Sequence, residues 1–155
     1  METEDIKVQG LIHFEHRNSE GKLIEERDVK NLVTNAGFAA LAGLALVDVG
    51  GTAFDYIAIG TGSTAANVTD TTLGTEIAAN GGQRAAGTGT RVTTTVTNDT
   101  AQLVLTYTFT GSYAVTEAGV LNASSSGTLL CRQVFSAINV VSGDTLTVTW
   151  KVKFS

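Results

Sequence analysis

Gln102–Thr110 reads QLVLTYTFT and Thr145–Phe154 reads TLTVTWKVKF, and the two stretches alternate in the same way. In the first, Leu103, Leu105, Tyr107 and Phe109 fall on one side, opposite Gln102, Val104, Thr106, Thr108 and Thr110. In the second, Leu146, Val148, Trp150, Val152 and Phe154 alternate with Thr145, Thr147, Thr149, Lys151 and Lys153. A side-chain period of two belongs to a strand with one buried and one wet face, the habit of antiparallel sheets. The chain is therefore expected to be mainly β, with both stretches facing one interior.

The same pattern extends outward. Val115–Leu121 and Leu129–Phe135 flank the Ser-rich turn Asn122–Gly127 and read as a hairpin, and Asn98-Asp99 turns the chain after Arg91–Thr97. Phe54–Ile59, with Tyr56, Ile57 and Ile59, reads as a short strand bounded by glycine. Ile6–His16 sets Ile6, Val8, Ile12 and Phe14 against Lys7, Gln9, His13 and Glu15; after the turn Asn18–Gly21, Lys22–Val33 returns as its partner. One short buried helix is expected after Thr34 or Asn35 as N-cap, with Phe38, Leu41, Leu44 and Ala45 at helical spacing and Gly50-Gly51 as the stop. A helical turn is expected at LGTEIA, from Leu73 to Ala78. Strands do not alternate with helices. The reading is an antiparallel β-sandwich or barrel-like body of about seven or eight strands, with one short helix and an N-terminal β-hairpin.

Composition divides the chain. Its 155 residues suit one domain, or one domain plus an arm. Of the 25 charged residues, 13 lie in residues 1–30, while the rest of the chain is rich in Thr, Ala, Gly, Val and Ser and has no proline. Residues 1–30 are accordingly expected to form a charged hairpin, an assembly arm, and residues 31–155 a β-rich body. The apolar face Ile6, Val8, Ile12 and Phe14 must be covered by the body or by a neighbour, which makes these four the candidate assembly contacts.

A net charge of -5 and a pI near 4.9 speak against nucleic acid as a partner. The most apolar segment, residues 36–49, contains Asp48 and falls short of the roughly 20 apolar residues of a membrane span, so no membrane partner is expected. METEDIKVQG is acidic where an export signal would be basic and then apolar. The lone Cys131 cannot form an internal disulfide and reads as a buried thiol.

Gly60-Thr61-Gly62-Ser63 follows a strand, as phosphate-binding turns do, yet no Gly-Lys-Ser/Thr occurs in the chain and no βαβ frame surrounds it. The glycines are expected only to turn the chain. His13 and His16 lie three apart on a strand and point to opposite faces, so they cannot share a metal ion, and both are expected at the surface. Cys131 and the serines lack a nearby base, and Glu25-Glu26 sits among other charges on an exposed strand. Glu117, in VTEAGVLN, is the open case: it either faces water or is buried with partners that satisfy it. Asn67-Val-Thr69, Asn98-Asp-Thr100 and Asn122-Ala-Ser124 match the glycosylation sequon and are expected to be turns. No catalytic residue, cofactor or metal site is expected, and the chain is not expected to be an enzyme.

Two segments carry a resemblance. NLVTNAGFAALAGLAL with FDYIAIGTGSTAANVTDTTLGTEI, and the stretch from LVLTYTFTGSYAVTEAGVLN through SGTLLCRQVF to the last residue, resemble small virion structural proteins of tailed bacteriophages. The second half is similar to tail-collar and fibre N-terminal domains, and the resemblance spans roughly residues 31–155. It implies a protein made in the host cytoplasm and built into the particle, with no catalytic residues. A capsid decoration, or cement, protein on the outer shell is the expected role, as a homotrimer in contact with the major capsid protein. A tail component (adaptor, tube or fibre base) is the alternative, a fibre proper being disfavoured by the absence of heptads or repeats to build a shaft.

Overall fold

The computed structural model describes residues 5–46 and 49–155. Residues 1–4 of the expected arm, and Asp48 of the apolar segment, lie outside them. Among the described residues, nine strands and one helix follow in the order β1 Val8–Arg17, β2 Leu23–Val33, α1 Asn35–Leu44, β3 Tyr56–Gly60, β4 Ala85–Ala86, β5 Thr88–Val92, β6 Thr100–Thr108, β7 Tyr113–Leu121, β8 Leu129–Val140 and β9 Thr145–Phe154. The strands lie side by side as β4-β3-β7-β8-β2-β1-β9-β6-β5, every pair antiparallel.

The two ends of that row are parts of one stretch of chain, since only Gly87 separates β4 from β5. β4 pairs with β3 and β5 with β6, while the Gly87 amide donates to Asp55 O at 2.8 Å, so the row nearly closes into a barrel. A Cβ on Gly87 would stand 2.9 Å from Val104 O, which is why the corner takes glycine. The other corner is β2, which runs along β1 and then joins β8 through only Leu32 and Val33.

The alternating stretches meet as the sequence requires. Leu103, Tyr107, Phe109, Leu146, Val148, Trp150 and Val152 are buried on one wall, and Ile57, Ile59, Val115, Val120, Cys131, Ile138 and Val140 on the other. Leu105 packs partly buried beside them. Phe14 meets Phe135 across the interior with ring centroids 4.7 Å apart, and the Tyr107 hydroxyl donates to Ile57 O at 2.8 Å.

Five expectations change. The hairpin of β1 and β2 is part of the barrel wall and not an arm beside the body. β1 lies mid-row, paired along its whole length with β9, because Ile12 and Phe14 supply apolar surface that this wall of the core needs. The helix is only partly buried: Thr34 caps it, its Oγ1 accepting from Gly37 N at 2.9 Å, but the buried positions are Gly37 and Gly43, while Phe38 and Leu44 are exposed. The helix ends at Leu44, before the expected Gly50-Gly51 stop. Beyond Val92 the expected strand gives way to a turn, in which Asp99 accepts the amides of Thr94, Thr95 and Val96. The expected helical turn at Leu73–Ala78 does not form: the chain bends at Gly74 and Thr75 and Glu76 is bridged to Gly60, for a reason given by Glu117.

Candidate functional site

Glu117 sits in the middle of β7, opposite Gly60 on β3 and Val134 on β8. Its neighbours Ala118 and Val120 belong to the main core, so alternation turns Glu117 to the other face of the sheet. Residues 61–84 fold over that face, where Leu73 packs with Ala58, Leu121 and Leu129 in a second, smaller apolar cluster. The carboxylate is fully buried beneath this loop.

A buried carboxylate must be satisfied, and here it is. Oε1 accepts from Gly62 N at 3.0 Å and Thr75 N at 2.6 Å; Oε2 accepts from Gly74 N at 2.8 Å and from Arg132 Nε and Nη2 at 3.0 and 2.8 Å. Arg132, on the adjacent strand β8 and itself buried, also donates to Asp70 Oδ2 at 2.7 Å and to Thr64 O at 3.0 Å. Burial alone would raise the Glu117 pKa, but the amides of Thr75 and Gly74 and the Arg132 guanidinium outweigh it and hold the carboxyl below its usual range. Asp70 is shifted down in the same way, the Asn67 amide and Arg132 overcoming desolvation.

The glycine-rich turn thus does hold an anion, and the anion is the chain's own. A Cβ on Gly62 would overlap Glu117 Oε1, and one on Gly60 would come within 2.5 Å of it. Both glycines are required by the closeness of the carboxylate rather than by a turn alone. The amides of Gly74 and Thr75 turn toward Glu117, which keeps LGTEIA from coiling. At the end of the loop, Arg84 forks onto Glu76 at 2.8 and 2.7 Å and donates to Ala123 O and Ser126 O in the β7–β8 turn. With five donors on two oxygens and no contact with solvent, Glu117 is an anchor and has no free lone pair for acid–base chemistry.

Other candidates fall into place around it. His16 is not at the surface: it shares the inward face of Ile12 and Phe14, is buried, and bonds Asp144 Oδ2 at 2.8 Å. His13 lies on the outer face, so the two histidines do point apart. Cys131 is fully buried, and burial pushes its thiol well above the ordinary range. Asn67, Asn98 and Asn122 all stand in turns, Asn67 Oδ1 accepting from Thr69 N and Asn122 Oδ1 from Thr128 N. Of the four candidate contacts, Ile12 and Phe14 are core residues, Val8 is partly buried against the core, and Ile6 is 82% exposed. The first two are withdrawn as assembly contacts, because contact with a neighbour would require the barrel wall to open.

Sequence reasoning missed Arg132, Asp70 and the role of the loop amides. One signal was present: Arg132 interrupts LLCRQVF much as Glu117 interrupts VTEAGVL, and the two runs form one hairpin. No protein-family model, curated protein or solved structure matches the chain.

Proposed function

We propose that the chain is a structural protein of a tailed-bacteriophage particle, a capsid decoration protein that binds the outside of the shell as a homotrimer and reinforces contacts of the major capsid protein. The observation that carries this reading is the enclosure of Glu117 and Arg132. The Glu117–Arg132 pair, the fully enclosed ionic centre beneath the loop, spends its hydrogen bonds on fixing residues 61–84 to the barrel. A centre built to stiffen a loop suits a protein that works by its surface. The acidic balance and the resemblance of residues 31–155 point the same way, an acidic body being poorly suited to contact packaged DNA.

Such a protein gains from symmetry, because contacts repeated over a shell hold collectively even when each is weak. With Ile12 and Phe14 in the core, the contacts belong to the outside of the barrel and to Ile6. The test is to mix the purified protein with undecorated capsids and locate it by electron microscopy, with its mass in solution measured by light scattering. Density on the outer shell in threefold clusters is expected. Protein found only on tails would transfer the reading to the tail component, and binding to neither would overturn both.

A further inference from the structure

The register of β1 with β2 places His13 opposite Asp28 and Glu15 opposite Glu26. Ile12, Phe14 and His16 point inward, so these four residues share the outer face of the sheet. Asp28 Oδ1 lies 2.7 Å from His13 Nδ1, which places the ring proton on Nδ1 in the neutral imidazole and aims the Nε2 lone pair away from Asp28. Nε2 then faces two carboxylate oxygens, Glu15 Oε1 at 3.6 Å and Glu26 Oε1 at 3.4 Å, and all three atoms lie within 4.8 Å of one another.

Those separations decide between two chemistries. A charge-assisted N–H···O bond would close to about 2.7–2.9 Å, and neither contact does. Ligand atoms about 2.0–2.1 Å from one tetrahedral ion stand about 3.3–3.4 Å apart, close to the spacing found. Glu15 and Glu26 are like charges directly across a strand pair, an arrangement that repels unless a cation lies between them. Arg17 engages the other oxygen of Glu15, Oε2, at 3.2 Å and leaves Oε1 free to ligate. Neutral imidazole with two carboxylates suits zinc and its borderline relatives better than calcium or magnesium, which favour oxygen alone.

We propose that His13 Nε2, Glu15 Oε1 and Glu26 Oε1 form a surface site for one divalent cation of the zinc class, with Asp28 as the outer partner that fixes the imidazole. Two carboxylates neutralise the ion, and its fourth position faces solvent. Asp28, through its bond to Nδ1, draws the His13 pKa upward, so protons compete with the metal; Arg17 and Lys151 are the nearby fixed charges.

The test uses the full, untagged chain near neutral pH, with zinc chloride in titration calorimetry and cobalt chloride followed by its visible absorption. One saturable site with tetrahedral cobalt bands is expected. The chain has two histidines and one cysteine, and His16 and Cys131 are buried, so His13→Ala should abolish binding. Asp28→Asn should weaken it by about 10- to 100-fold, as loss of an outer partner does. Glu26→Gln, at a largely exposed side chain, should weaken it while leaving the circular dichroism unchanged. Absence of saturable binding by the wild type, or binding that survives His13→Ala or Glu26→Gln undiminished, would overturn the site.

Discussion

Glu117 beneath its loop and Glu26 on the outer face of β2 are both strand glutamates close to a basic side chain, yet they do opposite things. Glu117 is fully buried and takes five donors, so nothing of it remains for a partner. Glu26 is largely exposed, accepts no hydrogen bond among the described residues, and faces a second carboxylate across the strand pair. Burial forced the first arrangement to be complete, because an unsatisfied buried charge is costly; water allowed the second to stay open.

The largest effect should come from Glu117→Ala, which leaves Arg132 buried without its main partner. A loss of about 3–5 kcal/mol is expected in urea unfolding. A loss of only about 0.5 kcal/mol, the size ordinary for a surface change, would erase the contrast between the two glutamates. Ile12→Ala should cost about 2–5 kcal/mol as a core cavity, although His13 beside it on β1 faces water. Gly62→Ala should cost about 1–3 kcal/mol, since its methyl group must displace a carboxylate held from five directions.

The two regions should also answer pH in opposite senses. Glu117 and Asp70 have lowered pKa values in the folded state, so their stabilisation is present above the unfolded carboxyl pKa of about 4 and is lost as pH falls through the folded values. His13 has a raised value, so its smaller contribution is present below its unfolded pKa of about 6.5 and is lost as pH rises through the folded one. Urea midpoints measured across pH should fall at the acid end, and Glu117→Gln should flatten that fall. The smallest effect belongs to Glu26→Gln without metal, expected to change stability by no more than about 0.5 kcal/mol.

The walls of the barrel were legible because period-two alternation is local: Leu103 to Phe109 and Leu146 to Val152 declare their faces without reference to any partner. His16 was legible by the same rule, two residues beyond Phe14, but its chemistry suggested surface; Asp144, the partner that allows burial, is 128 residues away. The pairing of β1 with β9 is equally remote, so a charged hairpin read alone suggested an arm. The Glu117 site was half legible. A carboxylate and a guanidinium interrupt adjacent apolar strands, but most of the donors are backbone amides of Gly62, Gly74 and Thr75, which carry no sequence signature beyond glycine.

The pairing of β1 with β9 also sets a timetable for synthesis. Val8–Arg17 leaves the ribosome long before its partner Thr145–Phe154, so at about 5–20 residues per second it waits on the order of ten seconds for that strand. Throughout that interval Ile12 and Phe14 lack the strand that completes their wall, and β2 alone can pair with β1. An apolar, unpaired strand edge invites aggregation, and charged side chains beside it oppose association. More than half of the chain's charged residues lie in residues 1–30, where charge opposes association of this hairpin while its partner strands are still being made.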